Sequence, residues 1–288
     1  MVEISNSKIL ITGSEGFIGS KLSKQLREIG AEVKGIDIKK GINILNWDEL
    51  KTLERVDLIY HLAAITFIPY AFKHPRETYN INVLGSLNIL EYCRLNDIKK
   101  IIFSSTFVYG QPQYFPIDEA HPVAPNNPYS RSKLLAENLC RGYSQDYGLN
   151  CIVLRQFNIY GPGQQENFLI PSILKQIQEN NKIELRDPDP KRDLLYISDL
   201  ISAYLKSAEY EKSKFEVFNI GYGKSNSVQE IVDQIIKLTK REIKVNYTGE
   251  RRPNEIMDTV ACITKAHHKL NWQPKIDLIK GLKLILKS

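Results

Sequence analysis

Tyr129 and Lys133 stand four residues apart, at the start of a Leu-, Ala- and Glu-rich stretch, Leu134 to Tyr143, that reads as a helix. Positions i and i+4 share a helix face, so the spacing sets an ammonium beneath a phenol oxygen. A phenol has a pKa of about 10 in water, and a fixed neighbouring cation favours its anion. Such a pair can take a proton from an alcohol near neutral pH. The same spacing also occurs as a plain helix start followed by a solvated charge, so the surrounding residues have to decide between the two.

Those surroundings begin with Lys8-Ile9-Leu10-Ile11-Thr12, a short apolar run suited to a buried parallel strand. It leads directly into Gly13-Ser14-Glu15-Gly16-Phe17-Ile18-Gly19, then a helical pattern from Ser20 to Ile29, then a second strand, Ala31 to Asp37, that ends in an acid. Strand, glycine-rich turn, helix, strand and acid form a dinucleotide-binding unit. Gly13 permits the tight turn, Gly16 lets backbone approach a pyrophosphate, and Gly19 lets the helix close on the strand. The pyrophosphate then meets the unpaired N–H groups of a helix N-terminus. Asp37 is placed to accept from the adenosine ribose hydroxyls and to repel a 2′-phosphate, which favours NAD; Lys39 and Lys40 keep NADP open.

Further along, Gly41 to Leu45 reads as a short third strand, with Asn43 able to meet an adenine edge. Leu58 to Ala64 reads as a fourth, with small residues at its end where a cofactor must pass, and His61 inside it as a satisfied core histidine. Pro75 to Cys93 is helical, and Ile101 to Thr106 is a strand ending in the hydroxyls of Ser104, Ser105 and Thr106. In an open parallel sheet ligands sit at the carboxyl ends of strands, so these hydroxyls are well placed for chemistry. Pro112, Pro116, Pro122, Pro125 and Pro128 make the next stretch a long loop that delivers the chain to Tyr129. Asn150 to Phe157 is another strand, ended sharply by Asn158 to Gly163. Beyond it come a helix at Phe168 to Gln178, a strand at Lys191 to Ile197, a helix at Ile201 to Glu209, a strand at Val217 to Gly221, a helix at Val228 to Leu238, and a basic closing helix at Ile276 to Leu286 with a solvated face.

The composition narrows the function. The 288 residues are 42% hydrophobic and 25% charged, ordinary globular proportions. A net charge of +6 suits an anionic small ligand but is too mild and scattered for a nucleic-acid interface. Cys93, Cys140, Cys151 and Cys262 fit no zinc spacing and are too few to staple the chain; no metal is expected, and reduced, buried thiols in a cytoplasmic protein are. Neither a signal-peptide core nor an apolar run near the roughly 20 residues of a membrane span occurs.

Taken together, these motifs resemble the extended short-chain dehydrogenases, in particular the NAD-dependent nucleotide-sugar epimerase/dehydratase family. The likeness rests on Thr12-Gly13…Gly16…Gly19, Asp37, His61-Leu62-Ala63-Ala64, Asn82, Ser104 to Gly110, Tyr129…Lys133 and Leu154 to Gly163. It continues through Arg192-Asp193…Tyr196…Asp199, Phe218 to Gly221, Arg251 to Glu255 and Leu270 to Pro274. It implies a doubly wound parallel Rossmann-type α/β sheet with a smaller, discontinuous substrate-binding C-terminal domain. Residues 1–161 and about 192–221 would form the first; about 162–191 and 222–288 would form the second.

By resemblance, Ser105, Tyr129 and Lys133 are catalytic: Tyr129 the acid/base, Lys133 the holder of the nicotinamide ribose, and Ser105 the partner of the reacting sugar oxygen. Phe17, Ile18, Ile38, Asn43 and Ile44 would join Gly13, Gly16, Gly19 and Asp37 around the cofactor, with Leu62, Ala63, Ala64, Asn82 and Ser104 along its path. A nucleoside-diphosphate sugar would meet Thr106, Phe107, Asn158 and Asn167; Arg192 and Arg252 would take the diphosphate, and Glu255 a ribose or sugar hydroxyl. A homodimer, built partly on the Tyr129 helix, is the family's habit. Dehydratases of the family carry an acid just after the catalytic Ser/Thr, where this chain has Thr106-Phe107, so elimination of water is disfavoured. The family's 3,5-epimerase/reductases use a cysteine and a histidine as extra acid/base groups, and the Ser104 to Gly110 stretch holds no cysteine. An NAD-dependent 4-epimerase is expected first and an NAD(P)H-dependent 4-ketoreductase or 4-dehydrogenase second; a catalytically silent binding protein is the reading from another class.

Overall fold

A computed structural model describes residues 4–251 and 255–287. The strands are β1 Lys8–Thr12, β2 Glu32–Ile36, β3 Leu58–His61, β4 Lys100–Ser105, β5 Asn150–Gln156, β6 Asn158–Tyr160, β7 Lys182–Leu185, β8 Lys191–Tyr196, β9 Phe215–Ile220, β10 Ser225–Ser227 and β11 Lys244–Tyr247. The α-helices are α1 Phe17–Glu28, α2 Trp47–Leu50, α3 Ile68–Lys73, α4 Pro75–Tyr79, α5 Gly85–Leu95, α6 Pro128–Tyr147, α7 Leu169–Asn180, α8 Ile197–Ala208, α9 Val228–Thr239, α10 Thr264–Leu270 and α11 Leu278–Ile285.

Six strands form one sheet in the order β2-β1-β3-β4-β5-β9, and every pairing in it is parallel. The apolar runs of β1, β3, β4 and β5 explain this: they are buried on both faces, as strands covered by helices on both sides must be. One face carries Ile9, Ile11, Ile102, Ile152 and Leu154 toward α1 and α8. The other carries Leu10, Ile101, Phe103 and Val153 toward α5 and α6. The register aligns the chemical ends: Thr12 is opposite His61, His61 opposite Phe103, Ser105 opposite Arg155, and Arg155 opposite Asn219.

Two smaller sheets complete the α/β fold, β10-β8-β6 and β11-β7. Lys191–Tyr196 pairs with β6 and β10 in the three-stranded sheet. Of the segment from Arg192 to Ile220, only β9 enters the main sheet.

The expected strand at Gly41 to Leu45 is not formed. Asp37 caps a 3-10 turn, Ile38–Lys40, by accepting from Lys39 N, and Gly41 ends it at φ 81°. Asn43 Oδ1 then accepts from Leu45 N at 2.9 Å, a side-chain turn that replaces ladder bonds. The helix expected over Pro75 to Cys93 is α4 and α5 joined by a π-helical turn, Asn80–Leu84. Cys93, Cys140 and Cys151 are buried free thiols, while Cys262 is half-buried. Among the described residues, no helix is long and apolar enough to cross a membrane.

Candidate active site

The glycine-rich turn closes on itself through contacts only glycine permits. Gly13 has φ +72°, and a Cβ there would lie 2.8 Å from Ala63 N. A Cβ on Gly19 would lie 2.1 Å from the Gly13 carbonyl oxygen, so α1 can seat on the turn only without one. Gly16 precedes α1 as its N-cap with no side-chain cap, leaving the first N–H groups of the helix to an anion. Phe17 and Ile18 follow, packed against the core. Ser14 buries its Oγ among the described residues with no protein hydrogen-bond partner. An uncapped helix start, a glycine cradle and an orphan hydroxyl fit a dinucleotide.

Across the turn, the Asp37 carboxylate accepts from Glu15 N at 3.0 Å and Lys39 N at 2.9 Å, while Lys40 pairs with Glu15 at 2.8 Å. Ile38 is exposed beside it, and Ile44 is buried against Gly85. Thr12 Oγ1 accepts from Leu62 N and Ala63 N at 3.1 Å each and meets His61 Nδ1 at 2.6 Å. The β3 exit toward Ala64 is thereby tied to the glycine turn. Asn82 is buried, bonded to both the N–H and C=O of Ile65 and to Ser132 Oγ at 2.8 Å. Its amide positions that exit and α6. His61 is satisfied on both nitrogens by Thr12 and Ser86, and burial, reinforced by the charge of Lys133, holds its pKa down near about 3. It is a core histidine.

Tyr129 and Lys133 lie in the first turns of α6. Asn127 caps the helix by accepting from Ser130 N, and Pro128 occupies the first helical position, where its missing N–H does no harm. Burial raises the Tyr129 pKa, and a hydrogen bond with the Thr106 side chain pulls it back. The Lys133 ammonium points at the face of Phe103, 4.1 Å from the ring centre. Burial pushes the Lys133 pKa down to about 8 against the opposing influence of Cys140 and Glu137.

The three hydroxyls at the end of β4 part company. Ser104 Oγ accepts from Gln156 Nε2 at 2.6 Å, and the same amide reaches Tyr204 Oη at 2.5 Å. Ser105 is buried and donates to Glu137 Oε1. Thr106, half-buried just past β4, is the one of the three that pulls the Tyr129 pKa down. Phe107 packs edge-to-face on Tyr109 and Phe157, with ring centres 5.5 and 5.4 Å away.

Glu137 and Arg155 were not singled out from the sequence. They form a buried pair, Arg155 Nη2 to Glu137 Oε2 at 2.7 Å, with Arg155 Nε 3.2 Å from each carboxylate oxygen. Arg155 Nη1 donates to Tyr109 Oη at 3.1 Å, and Tyr109 donates to Asn219 Oδ1. Asn219 then holds the proline-rich loop, through Ile117 O at 2.9 Å and Glu119 Oε1 at 2.7 Å. The available signal was Glu137 standing four residues after Lys133 on the same helix face.

The expected substrate residues divide. Asn158 and Asn167 are exposed. Arg192 and Glu255, expected to meet different parts of a ligand, are bonded to each other, and Arg192 Nη1 also reaches Ile256 O at 2.8 Å. Arg252 lies outside the described residues. Asp193, wholly buried, accepts from Tyr222 N at 2.6 Å, Gly223 N at 2.9 Å and Ala261 N at 3.0 Å; burial still raises its pKa to about 6.

The profile of the NAD dependent epimerase/dehydratase family matches residues 9–221. The chain belongs to this family. A putative UDP-glucose 4-epimerase from Methanocaldococcus jannaschii is 33% identical, over 96% of this chain and 97% of that protein. A GDP-6-deoxy-D-mannose reductase from Pseudomonas aeruginosa is 31% identical, over 98% and 96%. Among solved structures, RMD from Pseudomonas aeruginosa complexed with NADPH superimposes with a TM-score of 0.90 at 30% identity, covering 98% of both chains. UDP-glucose 4-epimerase from Thermotoga maritima with UDP-glucose does so with a TM-score of 0.91 at 29% identity, covering 97% of both. Family membership and these superpositions assign the six-stranded sheet as a Rossmann sheet and the protein as an enzyme family member of NAD(P)-linked nucleotide-sugar chemistry.

Proposed function

We propose that the protein is an NAD-dependent nucleotide-sugar 4-epimerase that oxidises a sugar hydroxyl transiently and reduces the ketone on either face. The observation that carries this reading is the set Tyr129, Lys133 and a β4 hydroxyl, with Thr106 and Phe107 where an eliminating enzyme would need a carboxylic acid. The phenolate oxygen of Tyr129 would take the proton of the sugar hydroxyl and return it to the same oxygen when the ketone is reduced. Burial alone makes that phenolate expensive. The Lys133 ammonium and the Thr106 hydroxyl are the groups on hand to stabilise it. The redox step itself, acceptance of hydride from the sugar carbon and its return to that carbon, would be supplied by the bound nicotinamide. Neither Thr106 nor Phe107 can relay the protons that loss of water requires.

Asp37 at the end of β2 supports NAD, and a cofactor recycled within the site supports epimerisation. A second reading, a 4-ketoreductase of a nucleotide-linked 6-deoxysugar, is supported by the likeness to the Pseudomonas aeruginosa reductase and by Lys40 beside Glu15 at the adenosine end. We read residues 162–191 and 222–288, with the two small sheets, as the sugar-binding side, and Asn158, Asn167, Arg192, Arg252 and Glu255 as its contacts. A homodimer fits the exposed Leu135 and Tyr147 of α6 and Leu84 and Leu95 beside it; light scattering at the monomer mass would end that reading.

The deciding experiment is a screen of UDP-, GDP-, dTDP- and CDP-sugars, including 4-keto-6-deoxy forms, with and without reduced cofactor. Epimerisation predicts conversion with no added reductant. Conversion only with stoichiometric NAD(P)H selects the reductase, and no conversion of any nucleotide sugar removes both.

A further inference from the structure

Charge at the adenosine end of the cofactor cleft is shared among three short segments. They are the glycine-rich turn with Ser14 and Glu15, the end of β2 with Gly35 and Asp37, and the 3-10 turn Ile38–Lys40. Backbone bonds pin them together: Gly13 N and Ser14 N both donate to Ile36 O, at 2.8 and 3.3 Å, and Lys40 N donates to Asp37 O at 2.9 Å. The Asp37 carboxylate is fixed in the same way. One of its oxygens accepts from Glu15 N at 3.0 Å and the other from Lys39 N at 2.9 Å. A carboxylate offers about four lone-pair sites, so each oxygen keeps one for a ribose hydroxyl.

Lys40 is steered into this corner by the fold. The 3-10 turn doubles the chain back, and the lysine side chain crosses over Gly35. A Cβ on Gly35 would stand 3.5 Å from Lys40 Nζ and 2.6 Å from Ser14 Oγ, so the path is open only because that side chain is missing. The ammonium ends 2.8 Å from Glu15 Oε1. Glu15 therefore acts through both of its ends: its N–H orients Asp37, and its carboxylate engages Lys40. The two charged side chains are 43% and 42% exposed. An ion pair this open adds little to stability, which leaves its effect on a ligand as the larger consequence.

We infer that Glu15 is a specificity-determining residue for the dinucleotide, selecting NAD by withholding Lys40 from a 2′-phosphate. The inference rests on the cofactor role read for Asp37 and the glycine-rich turn, and deepens it. Lys40 is the feature of this corner that favours NADP, since an ammonium is a natural counter-ion for a phosphate. Engaged by Glu15, it is neutralised. A 2′-phosphate on a ribose held by Asp37 then meets two carboxylates against one ammonium. The 2′-hydroxyl of NAD carries no charge and makes no call on the lysine. NAD is thus selected twice, by the acceptors of Asp37 and by the hold of Glu15 on Lys40, and the second selection hangs on a single carboxylate.

The test is calorimetric binding of NAD and of NADP to the full chain, as wild type, Glu15→Gln and the double variant Glu15→Gln/Lys40→Met. Glutamine keeps the backbone N–H that Asp37 accepts, so the ribose cradle is preserved. Glu15→Gln is expected to tighten NADP by at least about tenfold, the low end for a hydrogen bond to a charged group, and to leave NAD close to wild type. Lys40→Met in that background is expected to cancel the gain. Added salt should shrink the gain as well, because the freed charge is exposed. Unchanged NADP affinity in Glu15→Gln, an equal gain for both dinucleotides, or a gain that survives Lys40→Met each overturns the inference. A wild-type protein that binds neither dinucleotide overturns it together with the cofactor site. No sugar enters the measurement, so a protein that shows the expected pattern and epimerises nothing supports this inference while refuting the proposed reaction.

Discussion

The Lys133 ammonium rests 4.1 Å above the centre of the Phe103 ring and is almost wholly out of solvent. A ring face attracts a cation but replaces only part of the water that burial removes. The lysine is therefore held at a cost to the fold, and that cost is visible in pH. Its folded pKa, about 8, is below the ordinary 10.5. The unfolded chain binds the extra proton between those values, so stability from this group is present in full above about 10.5 and is lost as pH falls to about 8. Melting curves of the ligand-free protein should show this component, and Lys133→Met should remove it. At pH 7 the Met variant is expected to be more stable by up to roughly 3 kcal/mol, while losing turnover. A Met variant less stable than wild type at pH 7 would contradict the strain described here.

Tyr129→Phe removes the only proton acceptor assigned to the reaction. General acid–base groups contribute about 10²- to 10⁴-fold, so turnover should fall by that order while calorimetric binding of NAD stays close to wild type. Unchanged turnover would dismiss Tyr129 as the acid/base.

Asp37 serves two ends at once, and its replacement should show both. Its carboxylate accepts from Lys39 N and Glu15 N. Asp37→Ala should destabilise the fold by about 1 kcal/mol through the lost cap. The same change should narrow any preference for NAD over NADP, measured by calorimetry with each cofactor. A wild-type protein that binds NADP more tightly than NAD would refute the ribose role assigned to Asp37.

Gly19→Ala tests the cradle. The added methyl would stand 2.1 Å from the Gly13 carbonyl oxygen, so α1 must lift from the turn. Such overpacking costs about 1–3 kcal/mol. Denaturant titration should register that loss, and dinucleotide affinity should drop with it because the helix N-terminus is displaced. Wild-type affinity in Gly19→Ala would show that the turn does not hold the pyrophosphate.

What could be read from the sequence were local patterns with one structural solution. β1, the turn at Gly13 to Gly19, α1 and β2 are contiguous, and each residue's task follows from its neighbours. The helix expected over Leu134 to Tyr143 was legible for the same reason, though it is longer, starting at Pro128 and ending at Tyr147. Gly41 to Leu45 was misread because its apolar residues suggest a strand, whereas the Asp37 cap and the Asn43 side chain organise a turn. The direction of Lys133 was not legible either. Helical spacing fixes which face a side chain leaves from, but the ring that receives it comes from β4, about thirty residues earlier. Glu137 and Arg155 show the same limit, since a pairing across α6 and β5 leaves no periodic trace. Nor could spacing say that β8 would leave the main sheet for β6 and β10.

The position of β9 also bears on how the chain is made. It covers the open edge of β5 in parallel register, yet β5 ends at Gln156 and β9 begins only at Phe215. During synthesis, the strand that carries Arg155 emerges from the ribosome long before its neighbour and must wait with its backbone unpaired along one side. Such an edge invites pairing with other nascent chains. The N-terminal half, complete in its cofactor motif, is thus a poor candidate for an independently expressed fragment, and a stall between residues 156 and 215 would leave a sticky intermediate for chaperones to shield.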